Sequence, residues 1–207
     1  MSKQLGFYFN AAVCTGCRAC QIACKDKNDN PIGVNFRRVF QYTDGNWSRH
    51  PLHQDIWVPS NVSSYNVSTA CMHCEAPICV EVCPTGAMNK NGDGIVSVDK
   101  SKCIGCRVCL QSCPYGAPQF NEEMGVMTKC DLCKDLIAGG LDPACVNACP
   151  MRALEYGEIS ELRAKYGTVN GIEPLPVPSL THPSVVITPH RDSVLSGQGT
   201  GKMKVEV

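Results

Sequence analysis

The chain has 207 residues, and its 19 lysine and arginine residues balance its 19 aspartate and glutamate residues. This length allows one large domain or two small ones, and no basic patch of the kind that binds nucleic acid is present. Hydrophobic residues make up 43%, but that share includes 16 cysteines, and aromatic residues make up only 6%. Few apolar residues other than cysteine are available to form a core. We therefore expect bound inorganic groups to nucleate folding and the apo-chain to be largely disordered.

The chain begins with a predicted strand over residues 5–9, LGFYF. The strand leads into a first quartet of cysteines, Cys14, Cys17, Cys20 and Cys24. We find no apolar leader with a cleavage site at the start and no apolar run as long as a membrane span. The sequence therefore predicts a protein that is soluble by itself and reaches a membrane only through other chains.

Residues 25–70 predict a β insertion between the first and second quartets. Residues 34–42 alternate like a strand, Asp44-Gly45 is typical of a turn, and residues 55–59 predict a returning strand. We interpret Trp47 and Trp57 as residues that pack over a bound group. A contact surface for a partner subunit is the alternative.

Residues 71–113 predict a self-contained inner unit with two further quartets. Between the quartets, residues 87–98 predict a hairpin that turns at Gly92-Asp93-Gly94. The second quartet is Cys71, Cys74, Cys79 and Cys83, and the third is Cys103, Cys106, Cys109 and Cys113.

A fourth quartet, made of Cys130, Cys133, Cys145 and Cys149, completes the cysteines. With the first quartet it predicts an outer unit over residues 1–24 and 114–158, an internal repeat that encloses the inner unit. Residues 159–167 predict a short helix that ends near Gly167. The rest of the segment 159–207 predicts an extended tail along a partner, because Val185, Val186 and Ile187 are apolar; a disordered tail is the alternative.

The cysteine spacing indicates cubane iron–sulfur clusters. The first and third quartets have the spacing C-x2-C-x2-C-x3-C of bacterial ferredoxins, and the other two lengthen one gap. Proline follows the last cysteine in three quartets, whereas Lys25 follows Cys24. Such loops turn backbone N–H groups toward the sulfurs, and Gly16 and Gly105 occupy matching positions where a positive φ is expected.

Four thiolates per cubane give four 4Fe–4S clusters. In two-cluster ferredoxins the last cysteine of a quartet binds the other cluster. This exchange predicts Cys14, Cys17, Cys20 and Cys149 for cluster 1, and Cys24, Cys130, Cys133 and Cys145 for cluster 2. It predicts Cys71, Cys74, Cys79 and Cys113 for cluster 3, and Cys83, Cys103, Cys106 and Cys109 for cluster 4. No catalytic residue is predicted.

Two other interpretations of the cysteines are weaker. A disulfide framework is typical of short secreted chains, but these repeats crowd the thiols too closely for clean pairing. Zinc sites also use C-x2-C pairs, but they seldom use triple runs closed by C-x3-C-P.

The clusters would change the charge of the protein. Sixteen thiolates, partly neutralised by iron, leave the oxidised holoprotein with a net charge of about −8. Bases in or beside the quartets offset that charge, either to tune cluster potentials or only as solvated side chains: Arg18, Lys25, Arg107, Lys129 and Lys134. His73, within the second quartet, is interpreted as a solvated histidine or one beside a cluster rather than an iron ligand.

The chain resembles the four-cluster iron–sulfur subunits of molybdopterin oxidoreductases, above all the B subunits of anaerobic dimethyl sulfoxide reductases. The resemblance rests on the quartets and on segments that cover nearly the whole chain, such as Gly6-Phe7-Tyr8-Phe9, Phe36-Arg37-Arg38, Cys83-Pro84-Thr85-Gly86, Cys113-Pro114-Tyr115-Gly116 and Glu161-Leu162-Arg163. It implies an α+β fold of two interleaved bacterial-type two-cluster ferredoxin domains, with a β insertion and an extended C-terminal tail.

The resemblance also implies a non-catalytic electron-transfer subunit. A quinol-oxidising membrane subunit would supply electrons, and a molybdopterin catalytic subunit would consume them. Cluster 1 would lie toward the catalytic subunit, and quartets two and three toward the membrane. The complex would sit on the periplasmic face by co-export, with the cytoplasmic face as the alternative. The other candidates are the equivalent subunit of a thiosulfate, polysulfide or tetrathionate reductase, a formate dehydrogenase or a hydrogenase, and a free polyferredoxin.

Overall fold

The structure, a computed structural model, describes residues 3–204. The first two residues of the predicted outer unit and the last three of the predicted tail lie outside the described residues. The α+β class is confirmed, with short helices and small sheets. The helices are α1 Ala19–Lys27, α2 Ile78–Glu81, α3 Val108–Ser112, α4 Lys134–Ala138, α5 Ala144–Asn147 and α6 Ile159–Tyr166. The strands are β1 Leu5–Asn10, β2 Arg38–Arg49, β3 Trp57–Thr69, β4 Met88–Lys90, β5 Val96–Val98, β6 Gln119–Asn121, β7 Val126–Thr128, β8 Leu154–Glu158, β9 Val185–Thr188 and β10 Lys202–Lys204.

The predicted first strand is the centre of a three-stranded sheet. Strand β1 pairs antiparallel with β8 and parallel with β9, in the order β8-β1-β9. Its residues are buried from Leu5 to Phe9, as is usual for a central strand with a neighbour on each edge. The sheet brings the segment before the first quartet beside the segment after the fourth.

The tail prediction is wrong for its most apolar segment. Val185, Val186 and Ile187 form β9 and are buried in the sheet of this chain. They cover the second edge of β1, which would otherwise expose unpaired backbone groups and apolar side chains. Farther along, β10 pairs antiparallel with β2.

The β insertion is a long hairpin of β2 and β3. The first strand begins at Arg38 rather than at residue 34, and the second begins at Trp57. The base of the hairpin is buried, but Trp47 and Trp57 are 58% and 54% exposed. The prediction that these two tryptophans pack over a bound group is therefore wrong. Nearly all residues in the distal half of both strands are exposed, so this half of the hairpin projects into solvent.

The remaining elements repeat around three Cys-Pro turns. After Cys83 the chain forms the predicted hairpin β4–β5, after Cys113 it forms the hairpin β6–β7, and after Cys149 it forms β8. The sequence predicted only the first of these hairpins. The predicted helix 159–167 is confirmed as α6, which ends at Tyr166 before Gly167 at φ 94°.

Candidate metal centres

The four predicted ligand sets are called the first to fourth groups, after clusters 1 to 4. Two of these groups line cavities. One cavity is lined by Cys14, Cys17, Cys20 and Cys149. Another is lined by Cys83, Cys103, Cys106 and Cys109. All sixteen cysteines are free thiols. Within residues 3–204, no three His, Cys, Asp or Glu side chains converge on the position of a single metal ion; these eight thiols instead surround the two cavities.

In the other two groups, the cysteines that lie together are indicated by their effects on one another's pKa. Burial raises the pKa of Cys24 to about 12, and the neighbouring Cys145 and Cys133 contribute to the rise. Burial also raises the pKa of Cys79 to about 12, with Cys71, Cys113 and Cys74 contributing. In each group the last cysteine of one quartet thus lies beside cysteines of another. Clustered thiols that are buried, as in the second group, or buried and half-buried, as in the third, fit a thiolate-bound cluster, because bound iron replaces the proton that burial otherwise retains.

The first and third quartets begin with the same backbone loop. Gly16 and Gly105 have φ values of 73° and 69°, and Arg18 and Arg107 follow at 63° and 62°. A Cβ at Gly105 would lie 2.4 Å from the carbonyl oxygen of Gly125. The prediction of positive φ at both glycines is confirmed, and Gly105 is also required by close contact with the β6–β7 turn.

Backbone N–H groups point at the sulfurs, as predicted. Met88 donates to Cys83 Sγ at 3.3 Å, Met127 to Cys103 Sγ at 3.3 Å and Ala153 to Cys149 Sγ at 3.3 Å. His73 N donates to Cys71 Sγ at 3.4 Å. At Cys83 burial acts to raise the pKa, but the N–H of Met88 and other donors at Thr85 and Ala87 outweigh it and lower the pKa. These donors favour the thiolate form that binds iron.

Side chains distant in sequence complete the surroundings of two cysteines. Ser68 Oγ lies 3.4 Å from Cys20 Sγ, and Thr181 Oγ1 lies 3.2 Å from Cys74 Sγ. Next to Thr181, the backbone of His182 accepts a hydrogen bond from the N–H of Glu75 at 2.8 Å. The tail therefore covers the second quartet of its own chain. No local spacing marks these contacts, so the sequence did not reveal them.

His73 is fully buried and contacts a cysteine. Its Nδ1 accepts the N–H of Val96 at 3.1 Å, and its Nε2 lies 3.8 Å from Cys130 Sγ. Burial lowers the pKa of His73 well below its usual value, and the positive charges of Lys129 and Arg37 lower it further. The imidazole is therefore neutral. Of the two predicted positions for this histidine, the structure shows the one beside a cysteine group rather than in solvent.

The predicted bases differ in their positions. Lys129 is buried, and its Nζ donates to the carbonyl oxygens of Val96 and Cys130. Lys25 Nζ donates to the carbonyls of Pro31 and Val34, where it holds a loop. Arg107 lies over the ring of Phe120 at 3.8 Å, and Lys134 is exposed.

Arg37 is a buried cation that was not among the predicted bases. Its side chain is 2% exposed, and Nη1 donates to Ser68 Oγ at 3.1 Å. Burial acts to lower the pKa of Arg37, but the nearby thiolates of four cysteines raise it above its usual value; they are Cys145, Cys20, Cys130 and Cys24. No residue spacing distinguishes Arg37 from the adjacent Arg38.

The four groups follow one another in space. Cys145 of the second group contributes to the raised pKa of Cys20 of the first, and Cys71 of the third contributes to the raised pKa of Cys130 of the second. Cys79 of the third group packs in one apolar cluster with Cys109 of the fourth. The exposed cysteines are Cys17 and Cys106, and they belong to the first and last groups of this series.

Comparison with known proteins shows the family to which the chain belongs. Two family profiles described as 4Fe–4S dicluster domains match residues 13–88 and 62–159. The chain is 48% identical over 201 residues to the B subunit of the anaerobic dimethyl sulfoxide reductase of Escherichia coli, covering 97% of this chain and 96% of the relative. The chain belongs to this family of 4Fe–4S electron-transfer subunits. The resemblance in the sequence is thereby confirmed.

More distant members of the family serve other substrates by name. The B subunit of the polysulfide reductase of Wolinella succinogenes is 37% identical over 196 residues, covering 92% of this chain and 97% of the relative. The thiosulfate reductase electron transfer subunit of Salmonella typhi is 42% identical over 149 residues, or 72% of each chain. The family thus has an electron-transfer role rather than a catalytic one. Within the described part of the chain, no helix is long and apolar enough to cross a membrane.

Proposed function

We propose that this subunit holds four 4Fe–4S clusters and conducts electrons along them between two partner subunits. The observation that carries the proposal is the distribution of exposure. The two exposed cysteines, Cys17 and Cys106, lie in the terminal groups of the series, whereas the second group is fully buried. A conductor needs accessible ends and an insulated middle.

Each cluster would supply one-electron redox chemistry at a fixed position. The protein would set each potential through cysteine ligation, N–H donors to sulfur and burial. The proposed ligand sets are those predicted from the sequence, with Cys149 exchanged into the first group and Cys24 into the second. They are supported by the cavity shared by Cys149 with Cys14, Cys17 and Cys20.

We infer that the partners are a molybdopterin catalytic subunit at the cluster 1 end and a quinol-oxidising membrane subunit at the cluster 4 end. The 48% identity to the B subunit of a dimethyl sulfoxide reductase supports that reductase over the polysulfide and thiosulfate enzymes, whose subunits are less similar. The complex would be membrane-associated through these partners, on the periplasmic face by co-export.

A freely diffusing polyferredoxin is the second candidate, and one structural observation disfavours it. The distal half of the β2–β3 hairpin exposes Trp47, Ile56, Trp57, Val58 and Val62. A hairpin with several large exposed apolar side chains is typical of a protein interface. A fixed partner would cover it.

The partner proposal is tested by anaerobic capture of the complex through a tag on this chain. We expect about one molybdenum and about sixteen iron atoms per chain, measured by elemental analysis. Iron at this level without molybdenum would contradict the molybdopterin partner but keep the electron-transfer role.

The ligand exchange has its own test. Cys149→Ser should remove or alter the electron paramagnetic resonance signal of cluster 1, and Cys145→Ser should alter that of cluster 2. Because Cys149 and Cys145 are both in the fourth quartet, the exchange is wrong if the two substitutions change the same signal.

A further inference from the structure

Arg37 lies where the first and second cysteine groups meet. Its backbone N–H is a hydrogen-bond donor to Cys24 of the second group. Its guanidinium interacts electrostatically with Cys20 of the first group and with Cys145 of the second. One charge therefore acts on both groups from a position that is 2% exposed.

The guanidinium has unused hydrogen-bonding capacity. Its Nη1 donates to Ser68 Oγ, which itself lies 3.4 Å from Cys20 Sγ. Among the described residues, Nε and Nη2 are buried and have no hydrogen-bond partner. Buried donors without an acceptor are costly, so such groups in a folded protein call for an explanation. Cluster sulfur is the acceptor that the adjacent cysteine groups would provide.

Packing holds the side chain in this position. The guanidinium carbon lies 4.6 Å from the ring centroid of Phe7 on β1. The hydroxyl of Ser68 on β3 fixes one end of the fork. A planar fork that is held by a ring and a hydroxyl cannot swing away to solvent, so its charge stays between the two groups.

We propose that Arg37 is a shared electrostatic positioning residue that raises the reduction potentials of clusters 1 and 2 together. Each cluster takes up one electron when it passes from the 2+ to the 1+ state and becomes more negative. A buried cation stabilises the added negative charge strongly, because the surrounding protein screens it poorly. Without Arg37 both clusters become harder to reduce. The inference rests on the proposed ligand sets.

Arg38 provides a matched control in the next residue. Its Nη2 donates to the carbonyl oxygens of Tyr115 and Gly116 at 2.7 and 3.1 Å. Burial lowers the pKa of Arg38, and the nearby Cys113 acts to raise it. Cys113 belongs to the third group, so Arg38 faces a different cluster from Arg37.

The test is a redox titration of the full complex with dithionite, monitored by electron paramagnetic resonance. It compares the unmodified complex with complexes that carry Arg37→Gln, Arg37→Lys or Arg38→Gln. The signals of clusters 1 and 2 are assigned beforehand from Cys149→Ser and Cys145→Ser. For Arg37→Gln we expect the equilibrium constant for reduction of both clusters to fall tenfold or more, a negative shift of about 59 mV. Clusters 3 and 4 should be unchanged. Arg38→Gln should leave clusters 1 and 2 unchanged.

Arg37→Lys keeps the charge but loses the planar fork, so we expect a smaller shift in the same direction. This variant decides the question if Arg37→Gln does not acquire full iron. Unchanged potentials at clusters 1 and 2 would falsify the proposal, as would an equal shift of all four clusters. Failure of the ligand sets themselves would appear differently, as signals that the two serine variants do not separate.

Discussion

The second and fourth cysteine groups, which we propose bind the same type of cluster, lie in opposite surroundings. In the second group, Cys24, Cys130, Cys133 and Cys145 are all buried. In the fourth, only Cys109 is buried and Cys106 is exposed. Buried side chains surround the second group: His73 and Arg37 come from distant segments, and Lys129 precedes Cys130 in the chain. At the fourth group, backbone N–H groups of Met88 and Met127 donate to the sulfurs.

This difference separates two ways of stabilising a negatively charged cluster. At the fourth group, local backbone and solvent supply most of the stabilisation, so the site depends on the loop and the hairpins β4–β5 and β6–β7. At the second group water is excluded, and buried cations and a neutral imidazole must replace it. The second group therefore depends on the whole tertiary structure, and the fourth largely on its own segment.

The largest expected effect comes from removing one ligand at each site. Cys130→Ser should give a low yield of folded complex, because a buried site that has lost one of its four thiols and its cluster also loses a nucleus of the core. Cys106→Ser should assemble in near-normal yield and lose only the cluster 4 signal. Yield, iron content and electron paramagnetic resonance of the two variants check this. Equal yields would show that burial does not decide how far the damage spreads.

A smaller effect is expected from the buried lysine beside the second group. Lys129→Met leaves the carbonyl oxygens of Val96 and Cys130 without their donor, at about 1–3 kcal/mol for each. We expect cluster absorbance to be lost about tenfold faster or more in guanidinium, a rate measurement suited to irreversible unfolding.

The control for this substitution is Lys134→Met. Lys134 is exposed, and surface substitutions usually change stability by less than about 0.5 kcal/mol. The two variants lose the same charge, so similar rates of cluster loss would show that net charge, rather than the buried contacts of Lys129, stabilises the second group.

The smallest effect on the subunit itself is expected at the hairpin, which belongs to neither group. Trp57→Ala should change stability by less than about 0.5 kcal/mol, because the side chain is 54% exposed. It should nevertheless reduce co-purification of partner subunits at least severalfold, measured by anaerobic capture and gel densitometry. Ile32→Ala, at a fully exposed apolar residue outside the hairpin, is the control. Equal capture by both variants would place the interface elsewhere.

The sequence predicted the local part of the fold well. Strand β1, the hairpin β4–β5 and helix α6 lie where the sequence predicted them. The hairpin β6–β7 was not predicted, because its turn has no sequence as typical of a turn as Gly92-Asp93-Gly94. The two tryptophans were predicted to pack over a bound group, with a partner surface as the alternative. Only their exposure in the structure shows that they project with the distal half of the β2–β3 hairpin.

The sequence alone determined the chemistry of this protein. Cubane ligation needs closely spaced thiolates and tight loops, and both are local properties that C-x2-C-x2-C-x3-C spacing and Gly16 and Gly105 encode directly. Tertiary structure alone decided what surrounds each site. Arg37, Ser68 and Thr181 reach the cysteines from distant segments, and β9 closes the sheet around β1. Such contacts follow from how the chain packs as a whole, which no spacing between neighbouring residues records.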